Sequence, residues 1–155
     1  ELIDLLQLAS YHDTVYVHLN TPGGDLDACT HMVHSIVRSE ATVVGCADGQ
    51  VASAGSIIFF ACSGWEVGDY CEFLLHDGAG GIGGKFNEAE KAIKSTKRRL
   101  TKLYNDIYGP YFTSAEIKRI LNGQDMYLDS TEVTKRLETA IMLEGEPLDS
   151  SDTDA

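Results

Sequence analysis

Gly49-Gln50-Val51-Ala52-Ser53-Ala54-Gly55-Ser56 sets one hydroxyl among small residues, between two apolar runs. The run before it, Thr42-Val43-Val44-Gly45-Cys46-Ala47, is short and rich in β-branched residues and predicts a buried strand. The run after it, Ser56 to Ala61, predicts a buried helix. Ser53 thus stands at a strand-to-helix junction. The first amides of a helix have no partner within it and lie at the positive end of its dipole, which favours a developing oxyanion. From this segment alone Ser53 has two readings, a nucleophile or an N-cap among packing alanines.

Upstream, Val15 to Asn20 alternates and predicts a strand that stops at Thr21-Pro22-Gly23-Gly24. From Asp25 to Arg38, Leu26, Cys29, Val33, Ile36 and Val37 recur at helical spacing. Strand, glycine turn, helix and strand form a βαβ unit. Its parallel strands bring their C-terminal loops to one edge, so Gly24 and Ser53 should face one another. Downstream, a turn is expected at Ser63-Gly64-Trp65. A third β-like run, Tyr70 to Leu75, ends at His76, before the glycine-rich Asp77 to Gly84. A long helix with one apolar side and one basic side should run from Lys85 or Phe86 to about Tyr108, ended by Gly109-Pro110. Thr113-Ser114-Ala115-Glu116 is a capping box for a helix to Leu121. Then follow Asp125-Met126-Tyr127-Leu128, a helix from Ser130 to Leu137, and a last apolar strand from Thr139 to Leu143.

The 155 residues, 43% hydrophobic, suit one globular domain, 1–143, followed by an acidic disordered tail, 144–155. A net charge of −12 disfavours nucleic-acid binding. No apolar stretch nears the roughly 20 residues of a membrane span. The amphipathic opening, Leu2 to Ala9, has neither the basic region nor the cleavage site of a secretion signal, and a start without Met suggests a missing upstream piece. Cys29, Cys46, Cys62 and Cys71 lie in apolar segments without CxxC spacing, as reduced core residues of a cytoplasmic protein would.

Three β-like segments therefore end at Gly23-Gly24, at Ser53 and at His76, and sites of α/β folds gather at such strand ends. A serine and a histidine there suggest acyl transfer, with imidazole taking the hydroxyl proton and a carboxylate orienting the ring. Asp48, Asp77 and Asp125 are all candidates for that carboxylate. Amides of Gly24 and Ala54 could form the oxyanion hole. Gly78-Ala79-Gly80-Gly81-Ile82-Gly83 spells G-x-G-x-x-G, but a long charged helix follows it and no acidic strand end comes about 20 residues on, against a dinucleotide site. The G-x-S-x-G elbow fails at Val51. His31 and His34 form H-x-x-H without a third ligand nearby, so they read as solvated surface residues. No metal or other cofactor is expected.

Several of these segments together resemble the proteolytic subunit of the Clp protease (ClpP) family. Asn20-Thr21-Pro22-Gly23-Gly24 is similar to that family's N-S-P-G-G, and Gly49 to Gly55 to its G-Q-A-A-S-M-G. Leu75-His76 with Gly80-Gly81 is similar to its I-H-Q-P-x-G-G, and Asp125 to Leu128 to its acidic D-x-F-x-S segment. The resemblance implies a ClpP/crotonase-like spiral of βαβ units with a protruding handle helix. It implies Ser53 as nucleophile, His76 as general base, Asp125 as its orienting carboxylate, and Gly24 and Ala54 as oxyanion donors. Gly78, Ala79, Gly80 and Gly81 would hold extended peptide by β-augmentation. The expected function is a serine endopeptidase for peptides or unfolded proteins, in a homo-oligomer of stacked, heptameric rings fed by an AAA+ unfoldase. A divergent, phage-type member is implied: Gln124 replaces the family's usual arginine, and the N-terminal strand and axial loop are missing. Alternatives are a non-catalytic ring subunit, a capsid-maturation protease of the same fold and a crotonase-like acyl-CoA enzyme.

Overall fold

The computed structural model describes residues 1–80 and 85–145. Its centre is a five-stranded sheet in the order β1 (Thr14–Thr21), β2 (Thr42–Ala52), β4 (Glu72–Leu75), β5 (Met126–Asp129), with β3 (Gly64–Val67) also paired to β2. The helices are α1 (Leu2–Leu8), α2 (Leu26–Arg38), α3 (Ala54–Phe60), α4 (Phe86–Tyr108), α5 (Ser114–Leu121) and α6 (Ser130–Gly145). β1, β3 and β4 all run parallel to β2, and β5 runs antiparallel to β4. The fold class is α/β, with β1–α2–β2 and β2–α3–β3 as its βαβ units.

Alternation builds β1: Val15, Val17 and Leu19 face the core while Thr14, Tyr16 and His18 face solvent. α2 starts where the Asp25 carboxylate accepts the Ala28 N–H, and it buries Cys29, Val33 and Ile36 on one face. Phe59 and Phe60 of α3 enter an aromatic cluster, with Phe59 edge-on to Phe73 at 4.9 Å and Phe60 edge-on to Tyr108 at 5.7 Å. The four cysteines are free and buried. Burial pushes the Cys29 thiol up to about 11 and that of Cys62 to about 12, so both pack as inert hydrophobes.

The structure corrects three expectations. β2 does not end at Ala47 but runs on to Ala52, because the polar Asp48-Gly49-Gln50 sits at an irregularity of the ladder rather than in a turn. There Asn20 Oδ1 accepts the Gln50 N–H at 3.2 Å, and a Cβ on Gly49 would stand 2.9 Å from that oxygen. The extension gives β2 two partners in succession, β3 along Val44 to Ala47 and β4 along Gln50 to Ala52. The turn expected at Ser63-Gly64-Trp65 instead leads into β3, with the Ser63 hydroxyl donating to Val43 C=O at 3.1 Å. Thr139 to Leu143, expected as a strand, belongs to α6. Val133, Leu137 and Ala140 are buried while Ile141, Met142 and Leu143 are exposed, so burial follows a helical period and not alternation. α6 continues past Leu143 to Gly145, and the acidic segment from Glu146 on lies outside the described residues.

α5 opens with the expected capping box of Thr113 and Glu116. The Arg136 guanidinium of α6 donates to Glu116 Oε1 at 2.8 Å and holds that carboxyl down to about 2. α4 is divided: no side chain from Phe86 to Arg99 is buried, whereas Leu100, Tyr104 and Tyr108 are. Its first half is the handle expected from the resemblance.

Candidate active site

The chain leaves β2 through Ser53 at φ 54 and ψ −122, and Ser53 is the one non-glycine with positive φ among the described residues. Such backbone costs about 1–3 kcal/mol and persists only where its surroundings over-determine it. They do so here. The Ser53 N–H donates to Leu74 C=O at 2.8 Å. Its own C=O accepts from the Ser56 N–H at 3.0 Å, the Ile57 N–H at 3.3 Å and the Ser56 hydroxyl at 2.7 Å. Gly23, at φ +106, closes the remaining side: a Cβ there would lie 2.7 Å from Ser53 Cβ and 2.9 Å from Ala52 C=O. Although Ser53 occupies the N-cap position of α3, its side chain makes no capping hydrogen bond. The hydroxyl is not consumed by the helix.

Ser53, Ala54 and Gly24 line one cleft of about 480 Å³. The Ala54 amide opens α3 ahead of any carbonyl the helix can offer it, and Gly24 leaves its surroundings open, since a Cβ there would meet nothing within 4 Å. Asp77, Gly78, Ala79 and Gly80 line the same cleft; Gly81 lies outside the described residues. Apolar lining comes from Leu26, Ile57 and Leu100, and α4 adds Lys97. Lys97 Nζ lies 3.8 Å from Asp77 Oδ2, and Arg99 Nη1 lies 2.6 Å from Asp27 Oδ1, so α4 reaches both the loop after β4 and α2.

His76 follows Leu75 at the end of β4, half-buried, and does not itself line the cleft. Strand register decides what stands beside it. The β4–β5 ladder ends on the pair Leu75–Met126, so the next opposed positions are His76 and Asp125; the β2–β4 ladder ends on Ala52–Leu74, one residue before Ser53. Ser53, His76 and Asp125 therefore occupy the same end of three neighbouring strands. Among the described residues no hydrogen bond joins their side chains.

The other two carboxylates have partners of their own. Asp48 Oδ2 lies 2.9 Å from His18 Nδ1. Asp77 accepts the Gly78 N–H at 2.9 Å and faces Lys97. Asp125 is exposed and has no hydrogen bond among the described residues. His31 and His34 are also exposed, and no three His, Cys, Asp or Glu side chains gather as metal ligands among the described residues. Gly23, Ser56 and Tyr104 touch the backbone of this site and Tyr108 reaches it through the Ser56 hydroxyl, and sequence reading had assigned them no part in it. The signal for the tyrosines was their i, i+4 spacing at the buried end of α4.

A serine in a strained strand-to-helix turn, with a histidine and a carboxylate at adjoining strand ends, is the arrangement of α/β acyl-transfer enzymes. The chain belongs to the Clp protease family, whose model matches residues 2–136. It is 29% identical over 132 residues to ATP-dependent Clp protease proteolytic subunit 2 of Pseudomonas aeruginosa, covering 79% of this chain and 62% of that protein. It is 29% identical over 140 residues to the ATP-dependent Clp protease proteolytic subunit of Streptococcus suis, covering 77% of this chain and 70% of that one. The chain thus spans about two thirds of the length of these relatives. A solved structure of a ClpP1 mutant from Listeria monocytogenes shares the fold, with a TM-score of 0.69 at 22% identity over 87% of this chain and 75% of that one. No helix among the described residues is long and apolar enough to cross a membrane.

Proposed function

We propose that the chain is a serine endopeptidase of the Clp type, cutting peptides or unfolded proteins through an acyl-enzyme. Ser53 Oγ attacks the scissile carbonyl while the His76 imidazole takes its proton. Asp125 orients the ring and stabilises the imidazolium. The amides of Gly24 and Ala54 receive the oxyanion. His76 then returns the proton to the leaving amine, and a water activated by the same imidazole releases the acyl group from Ser53. The segment Gly78 to Gly81 pairs with extended substrate by main-chain hydrogen bonds. No cofactor takes part.

The observation that carries this reading is the register, in which His76 and Asp125 are the next opposed pair beyond Leu75–Met126 and Ser53 follows the neighbouring ladder. The relatives' names, which call them subunits of an ATP-dependent protease, support an assembly that works with an ATP-driven partner; we extend this to a cytoplasmic assembly of stacked heptameric rings, served by an AAA+ unfoldase and joined through the first half of α4. The missing Ser53–His76 hydrogen bond favours a second reading, a ring subunit without activity. Against it, catalytic hydrogen bonds are often unformed before substrate arrives.

A fluorophosphonate probe should label the assembled protein at Ser53, with labelling and peptide hydrolysis both lost in Ser53→Ala. Hydrolysis should fall as pH is lowered, because protonated imidazole cannot take the serine proton. Equal labelling of the wild type and Ser53→Ala, or a rate flat between about pH 5 and 8, contradicts the proposal.

A further inference from the structure

We propose that Tyr104 and Tyr108 of α4 are positioning residues for the nucleophile and base, tying the main chain at Ser53 and His76 to a single helix. The inference rests on the Ser53–His76 reading above and extends it to two hydroxyls that act on the main chain of the site, that of Tyr104 from the cleft wall and that of Tyr108 through Ser56.

Tyr104 is 2% exposed, and its hydroxyl donates to the His76 C=O at 2.5 Å. The imidazole of His76 makes no hydrogen bond among the described residues, and the ladder of β4 has already ended at Leu75. The tyrosine is thus the fixed point for His76 beyond its own strand. Tyr108 lies one turn further along the same face, fully buried, with its hydroxyl 2.8 Å from Ser56 Oγ. Ser56 has one proton to give. It lies 2.7 Å from Ser53 C=O and 3.5 Å from Leu74 C=O, and the latter already accepts the Ser53 N–H. Ser56 therefore donates to Ser53 C=O, which makes Tyr108 the donor to Ser56. The result is a directed chain, Tyr108 to Ser56 to Ser53. Burial pushes both phenols further from ionisation, so they remain donors across the working pH range. Packing alone does not call for a hydroxyl at these positions: Phe59, Phe60, Phe73 and Phe112 fill the same aromatic cluster without one.

The test compares Tyr104→Phe and Tyr108→Phe with the wild type, and with Tyr70→Phe as a control at a residue 98% exposed. Steady-state hydrolysis of a fluorogenic peptide is measured together with hydrogen exchange of the amides of His76, Asp77 and Gly78. Tyr104→Phe should lower kcat roughly tenfold while KM stays within about twofold, and should speed exchange at those amides with little change in Tm. Tyr108→Phe should lower kcat less, since Ser56 can still donate to Ser53 C=O. Wild-type kcat and exchange in Tyr104→Phe overturn the proposal, as does a rise in KM alone. A wild type that neither hydrolyses peptide nor takes the probe overturns the hydrolase reading instead. Exchange then reads the tether by itself: faster exchange in Tyr104→Phe upholds it and unchanged exchange overturns it.

Discussion

Ser53 is held on every side, its N–H by Leu74, its C=O by Ser56 and Ile57, and its Cβ against Gly23; His76 is held from outside its strand by the Tyr104 hydroxyl. Asp125 is looser still, exposed at the start of β5. The difference follows from what each group does in the proposed reaction. A strained nucleophile exists only if the free chain over-determines it. A proton carrier must serve first the hydroxyl and then the leaving amine, so its side chain can wait for substrate to fix its place.

The loose side should show the larger effect on turnover. Asp125→Asn should lower kcat by a factor on the order of 10³–10⁴ with little change in stability, measured by peptide hydrolysis and thermal melting. A variant within tenfold of the wild type would remove Asp125 from the orienting role. The tight side should show its effect in folding: Gly23→Ala should cost about 2 kcal/mol or more by denaturant unfolding, because alanine is strained at φ +106 and its Cβ has no room beside Ser53. An unchanged unfolding midpoint would mean that the turn after β1 does not fix the nucleophile. The smallest effect is expected at Asp48. Asp48→Asn should leave kcat unchanged and stability within about 0.5 kcal/mol, since its partner is the exposed His18.

The fold was legible where one period ruled a segment. β1 alternates, α2 carries a single apolar face, and the capping box marks α5. It was illegible where tertiary partners overrode local chemistry. Asp48-Gly49-Gln50 has the composition of a turn, yet it stays in β2 because Asn20, distant in sequence, fills the broken ladder. Thr139 to Leu143 is apolar enough for a strand, but burial of Val133, Leu137 and Ala140 on one face keeps it in α6. At the site, the strand-end address of Ser53 and the cleft shared with Gly24, Ala54 and Asp77 followed from local pattern. The choice among three carboxylates did not. Asp125 was named by the family resemblance, and its position opposite His76 depends on the β4–β5 register, which no local window contains. The tyrosines of α4 were legible as a helix face, but their hydroxyl partners lie dozens of residues away.

The central claim is that the strand ends deliver Ser53, His76 and Asp125 to one reaction. The most direct measurement is a crystal structure of the assembled protein with a peptide boronate on Ser53. The account expects a His76 ring nitrogen within about 3.2 Å of the Ser53 oxygen or a boronate hydroxyl, and the other ring nitrogen on the Asp125 carboxylate. A boronate bound to Ser53 with the imidazole still turned away from both would contradict it.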